Sequence, residues 1–157
     1  MNKKKIIIIT LLFSTIVILY ILWILFGNTG NDEVYLLPKD YTGIVTIIFE
    51  QEDGVPLTIS NGQIIFVIPS GGILISKDRK PTGFHNEYYY YIDGFSKIRI
   101  PFSIPSDTTN KETQIFGLIS GTTNSGSGKL ITYVQFIVGK ISMVDSLYKI
   151  RDKSNPG

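Results

Sequence analysis

Ile6–Phe26 constrains this chain more than any other stretch. It is a run of twenty-one residues without a charge, IIIITLLFSTIVILYILWILF. At about 1.5 Å rise per residue, such a run crosses a hydrocarbon core about 30 Å thick. A helix also satisfies its own backbone polar groups, so lipid accepts it. The polar side chains inside the run are Thr10, Ser14, Thr15 and Tyr20. Serine and threonine bond back to a carbonyl one turn earlier, which makes them inexpensive in lipid. Tyr20 and Trp23 fall in the last two turns, where amphipathic rings favour the headgroup level. Lys3, Lys4 and Lys5 precede the run, and basic residues stay on the cytoplasmic side. The expectation is an uncleaved, single-pass signal anchor in the cell membrane, its N-terminus cytoplasmic and the remainder outside. Residues 1–5 are then a cytoplasmic basic tail, 6–26 the transmembrane helix and 27–33 a linker.

The rival is a cleaved secretory signal. Its apolar core spans only about 7–15 residues and ends at a small-x-small site. The run here is longer, and Gly27-Asn28-Thr29-Gly30 contains no A-x-A-like triplet. No cysteine is present to carry a lipid. No glycine lies inside the run to form a G-x-x-x-G contact.

Charge and cysteine content narrow the function. Without the three N-terminal lysines, 12 basic residues face 13 acidic ones. A nearly neutral exposed part argues against nucleic acid as a partner. Zero cysteines exclude disulfides, thiol nucleophiles and Cys-ligated metals. The exposed part must therefore be held by its apolar core. Residues 34–150 suffice for one ordinary domain, with 151–157 left as a flexible tail.

That domain reads as β. In Gly43–Glu50, Val45, Ile47 and Phe49 share one face and Ile44 and Ile48 the other, so this strand is expected to be central and covered on both sides. Asp53-Gly54 marks a turn and Leu57–Ser60 a short strand. Asn61-Gly62 tolerates positive φ at both positions, a strong hairpin signal, and Gln63–Ile68 is its partner strand. Ile73–Ser76 follows, then a charged turn from Lys77 to Gly83. Glu87–Ile92 carries four consecutive tyrosines. Lys97–Ile100 alternates cations outward with isoleucines inward. Gln114–Ile119 and Leu130–Val138 are two further strands, joined by a flexible polar loop over Gly121–Gly128. Ser142 is placed to cap a terminal helix, with Asp145 three residues later, and Ile141, Val144, Leu147 and Tyr148 on its buried face. Strands with turns every 8–12 residues predict an all-β fold: an antiparallel β-sandwich of about seven or eight strands with a short C-terminal helix.

Tyr35-Leu-Leu-Pro38, then Tyr41-Thr-Gly-Ile-Val45 and an aliphatic strand, resembles the opening of an uncharacterised family of exported bacterial proteins, a domain of unknown function. The resemblance continues through Asp53-Gly54-Val55-Pro56 and Ile68-Pro69-Ser70-Gly71-Gly72 to Phe136-Ile-Val-Gly139, and it implies no known activity. Glu52–Leu57 is similar, with compressed acidic spacing, to the D-x-x-G-x-P-L of transthyretin-like carboxypeptidase accessory modules. That similarity implies a seven- or eight-stranded sandwich in a non-catalytic role.

The chain offers few residues for catalytic chemistry. His85 is the single histidine and needs a nucleophile and an orienting group to act as a base; a solvated loop position accounts for it. Ser142-Met143 is the sole Ser-Met pair, but it lies far from the anchor and lacks the proline of signal peptidases. The glycine-rich stretch 121–129 departs from a phosphate loop at Thr123 and Leu130 and leads into a strand. Glu50, Glu52 and Asp53 match no calcium loop. Lys77, Arg79 and Lys80 read as a solvated turn able to meet anionic headgroups or wall polymer. No catalytic residue, cofactor or metal is expected, and the chain is not read as an enzyme. What remains is the tyrosine run. In a strand, Tyr88 and Tyr90 face one way and Tyr89 and Tyr91 the other. One pair belongs in the core, and the other forms an aromatic strip for a protein or glycan partner. The leading expectation is a membrane-anchored, non-catalytic binding module. The alternatives are an accessory or structural subunit of a membrane complex, an immunity or inhibitor protein and, last, a cryptic hydrolase.

Overall fold

The computed structural model describes residues 3–26, 30–103, 111–124 and 128–153. Residues 27–29 of the stretch read as linker, the centre of the glycine-rich loop and the end of the tail lie outside these residues. The chain forms two compact units.

The first unit comprises residues up to Gly30 together with Thr82–His85. Helix α1 runs Lys3–Phe26, long and apolar enough to cross a bilayer. Ser14 Oγ and Thr15 Oγ1 both donate to the Leu11 carbonyl, at 2.8 and 2.9 Å, so these hydroxyls are satisfied within the helix. The Tyr20 and Trp23 rings stack at 6.3 Å between centroids. Beyond the helix, the Gly30 amide donates to the Phe84 carbonyl at 2.9 Å.

The second unit is built from two sheets. Its strands are β1 (Asp32–Pro38), β2 (Gly43–Phe49), β3 (Thr58–Ser60), β4 (Gln63–Val67), β5 (Ile73–Ile75), β6 (Glu87–Asp93), β7 (Ser96–Ile100), β8 (Thr113–Asn124) and β9 (Leu130–Lys140). One sheet has the order β3-β4-β1-β6-β7, the other β5-β2-β9-β8. The fold is thus mainly β in a two-sheet, sandwich-like arrangement with an apolar helix before it and a short helix after it.

Neither sheet is purely antiparallel as the sequence suggested. β1 runs parallel to both β4 and β6, and β2 runs parallel to β5. In the five-stranded sheet the difference originates in β1, which begins at Asp32 inside the stretch read as linker; in the other sheet it lies in the β2–β5 pair. Glu33, Val34, Tyr35 and Leu37 of this strand are all buried. A central strand whose successive residues are buried shows a continuous apolar run rather than alternation, so its sequence carries no period-2 signal.

Elsewhere the local chemistry is direct. Asn61 and Gly62 both take positive φ, 51° and 74°, and close the β3–β4 hairpin. Val45, Ile47 and Phe49 point into the core, and β2 lies between β5 and β9. Phe66, Tyr35 and Tyr89 stack across three adjacent strands at 4.7 and 4.8 Å. Phe136 of β9 meets both tyrosines edge-on from the opposite sheet, at 5.3 and 5.1 Å. Offset and edge contacts at these distances are the favoured aromatic geometries, so this cluster joins the sheets.

Four local expectations change. β8 continues to Asn124, so Gly121–Asn124 is strand rather than loop, paired with Leu130–Tyr133. Ile98 is 52% exposed although Ile100 is buried, because β7 is an edge strand and Ile98 has no neighbour beyond it in the sheet order. Ser142 does not cap the terminal helix. β9 runs straight into a 3-10 turn, Ile141–Met143, entered at Lys140 without a side-chain bond, and α2 follows over Val144–Lys153. Arg151 lies in this helix rather than in a tail; its Nη1 donates to the Gly117 carbonyl at 2.9 Å. Helix α2 packs Leu147, Val144 and Tyr148 against Phe116, Ile137 and Ile44, the outer face of the four-stranded sheet.

Candidate functional site

Strand β6 places the tyrosine run between β1 and β7. The period-2 geometry divides the run as expected. Tyr89 is 2% exposed in the core, and Tyr91 packs half-buried against the same core. Tyr91 donates its hydroxyl to the Tyr41 carbonyl at 2.7 Å. Tyr88 and Tyr90 face outward and are half-buried. Neither pair is wholly buried, so an aromatic strip exists on the outer face.

The neighbours of that strip follow from register. Tyr88 lies beside Val34, which lies beside Ile65; Tyr90 lies beside Leu36, which lies beside Val67. Arg99 is the cross-strand partner of Tyr90, and its guanidinium lies 5.8 Å from the centre of the Tyr88 ring. A cation over a ring at this distance is attracted by the ring's quadrupole. The outer face therefore carries two tyrosines, aliphatic side chains and an arginine at its β7 side. Val67 is 61% exposed.

The inner half forms a different arrangement. Glu33 and Glu87 are register partners on parallel strands, as are Tyr35 and Tyr89. Tyr35 donates its hydroxyl to Glu33 Oε2, and Tyr89 donates to Glu87 Oε2 at 2.7 Å. Burial pushes both tyrosine hydroxyls well above the usual phenol range, and the nearby carboxylates push them further. Burial also raises Tyr91, against a lowering hydrogen bond from Thr113. The inner tyrosines thus stay protonated and donate; they are not bases. The sequence reading missed Glu33 and Glu87. Their signal is a repeated E-x-Y, Glu33-Val34-Tyr35 and Glu87-Tyr88-Tyr89. In a strand, that spacing puts carboxylate and phenol on one face.

Ser142, Glu50, Glu52 and Asp53 lie on segments outside β1 and β6. His85 belongs to the first unit, half-buried, with Nδ1 2.8 Å from the Gly83 carbonyl oxygen. Ser142 is exposed in the middle of its 3-10 turn. Glu50 pairs with Arg79 at 3.3 Å, whereas Glu52 and Asp53 are exposed. Asp78, inside the basic turn, accepts the Leu57 amide at 2.6 Å and so ties that turn to the start of β3.

A sequence profile of a family of unknown function, DUF6843, matches residues 29–146, which takes in both sheets and the strands just described. The chain belongs to that family. Membership agrees with the expected kinship to an uncharacterised group and assigns no activity. Among solved structures, the chain is similar to one described as "Putative Lipoprotein from Bacillus anthracis", at 15% identity and a TM-score of 0.53. The similarity covers 70% of this chain and 71% of that one. At such identity it speaks for the fold of the DUF6843 domain alone. No curated protein matches the chain.

Proposed function

We propose that this protein is a non-catalytic binding module, anchored by Ile6–Phe26 and displayed on the outer side of the cell membrane. Its ligand-contacting strip is Tyr88 and Tyr90. One observation carries the reading: the tyrosine run splits into an inner pair committed to the core and an outer pair left at the surface beside Arg99, Leu36, Ile65 and Val67. Tyrosine and arginine over an apolar centre form the residue set that dominates contact energies in interfaces. The basic triplet Lys3–Lys5 before an apolar helix supports the orientation. A fold neighbour described as a lipoprotein fits a membrane-associated, exported placement.

The test is affinity capture of the tagged full chain from its native membrane, with Tyr88 and Tyr90 both replaced by serine. The expected result is loss of the co-purifying partner with an unchanged circular-dichroism spectrum. An unaltered set of captured molecules would remove the strip from the proposal. Protease protection of the C-terminal part in intact cells would reverse the orientation.

A further inference from the structure

A second feature of the β unit lies on the opposite sheet. Helix α2 covers only part of the outer face of the four-stranded sheet. Beside it is a cavity of about 520 Å³, lined by Tyr41, Ile44, Thr46, Ile48, Ile73 and Ile150. That volume falls within the range of about 300–1,000 Å³ typical of small-molecule sites. Two of its aliphatic side chains are left to water: Ile73 is 55% exposed and Ile150 is 54% exposed.

Both polar side chains that line the cavity have partners. Tyr41 donates its hydroxyl to the Ile44 carbonyl at 2.7 Å. Thr46 Oγ1 accepts the Gln135 amide at 3.0 Å. The walls therefore ask for no polar atom from a ligand. They offer aliphatic contact, which suits a flexible hydrocarbon chain better than a hydrogen-bonding ring or a peptide backbone. The helix that supplies Ile150 also supplies charge. Ile150 lies in α2, and Lys153 sits three residues further on, one turn along the same helix face. The last turn of α2 is basic, carrying Arg151 and Lys153. Arg151 is engaged with Gly117, whereas the Lys153 side chain is exposed.

We infer that this groove binds a single-chain anionic amphiphile, of the fatty-acid type, with its chain along Ile44, Ile48, Ile73 and Ile150 and its carboxylate near Lys153. The free amphiphile, rather than a bilayer phospholipid, is the ligand, because one such cavity accommodates one chain. This site is separate from the tyrosine strip and does not depend on it.

The probe is a medium-chain fatty acid bearing a diazirine near its tail, photolysed with the full chain in phosphatidylcholine nanodiscs. Labelled peptides are then mapped by mass spectrometry. Labelling is expected within 44–48, 71–75 and at Ile150, and excess dodecanoate should compete it away. Ile73→Trp and Ile150→Trp change exposed positions and partly fill the groove, so each should cut groove labelling about fivefold or more with the circular-dichroism spectrum retained. Lys153→Glu should weaken labelling by the carboxylate probe about threefold to tenfold and leave a matched diazirine alcohol unaffected. Labelling confined to Ile6–Phe26, labelling of the groove by a diazirine phospholipid but not by the free acid, or equal losses with acid and alcohol on Lys153→Glu would each overturn the inference.

Discussion

Glu33 and Glu87 stand opposite one another on adjacent parallel strands, and each accepts the hydroxyl of the tyrosine two residues further along its own strand. The two tyrosines stack in turn, 4.8 Å apart. Polar and aromatic layers thus alternate across the β1–β6 pair: carboxylates at the strand starts, then phenols in the core. Burying Glu33 is tolerable because a charge-assisted hydrogen bond accompanies it. The same bonds fix the tyrosine rings against Phe136 and so help to set the register between the sheets.

This pairing makes stability sensitive to alkali. The Tyr35 and Tyr89 hydroxyls are raised in the folded state, first by burial and then by the carboxylates. Their contribution is fully present below the unfolded phenol value of about 10 and is lost as pH rises above it, because the unfolded chain then sheds protons that the folded chain keeps. Each such tyrosine should lower the unfolding free energy by about 1.4 kcal/mol per pH unit above that point. Urea unfolding between neutral pH and strongly alkaline pH measures the slope. Tyr35→Phe should flatten it, and an identical slope in that variant would refute the assignment.

The cross-sheet cluster predicts the costliest core truncation. Phe136 is fully buried and touches both Tyr35 and Tyr89. Phe136→Ala should lower stability by about 3–5 kcal/mol, measured by urea unfolding. A cost under about 1 kcal/mol would mean that the sheets do not meet there.

Two glycines with similar backbone angles should respond differently to alanine. Gly62 has φ +74° and open space where a Cβ would stand. Gly72 has φ +76°, but a Cβ there would collide with the Tyr41 hydroxyl and lie 2.6 Å from the Ile44 carbonyl oxygen. Gly62→Ala should cost about 1–2 kcal/mol from the left-handed conformation alone. Gly72→Ala should cost clearly more, and equal melting temperatures for the two variants would contradict this.

Arg151 ties α2 to β8. Its guanidinium donates to the Gly117 carbonyl and lies 4.5 Å from the centre of the Tyr148 ring. Arg151→Ala removes both contacts and should cost about 1–3 kcal/mol. Faster hydrogen exchange should be confined mainly to Val144–Lys153, and unchanged protection of that helix would show that Leu147 packing alone holds it.

Much of this was legible in the residues. Asn61-Gly62 names its hairpin because both positions must tolerate positive φ. The tyrosine run splits correctly because a strand has no other way to place four consecutive side chains. The strip's neighbours were not legible: Val34 and Leu36 meet Tyr88 and Tyr90 through a parallel pairing between segments more than fifty residues apart. Nor was Ser142, whose capping sequence is overruled because β9 leads into the 3-10 turn without a free residue between them.

The residues alone dictate the apolar helix and the β character of the remainder, together with the absence of thiol chemistry. These depend on composition and on periods of a few residues, which local sterics and solvation read without help. Long-range packing sets the rest: β1 lies between β4 and β6, two E-x-Y motifs stand in register, and α2 leaves an aliphatic groove beside it. Parallel neighbours are chosen by packing between distant segments, and no local pattern encodes which segment will be the neighbour.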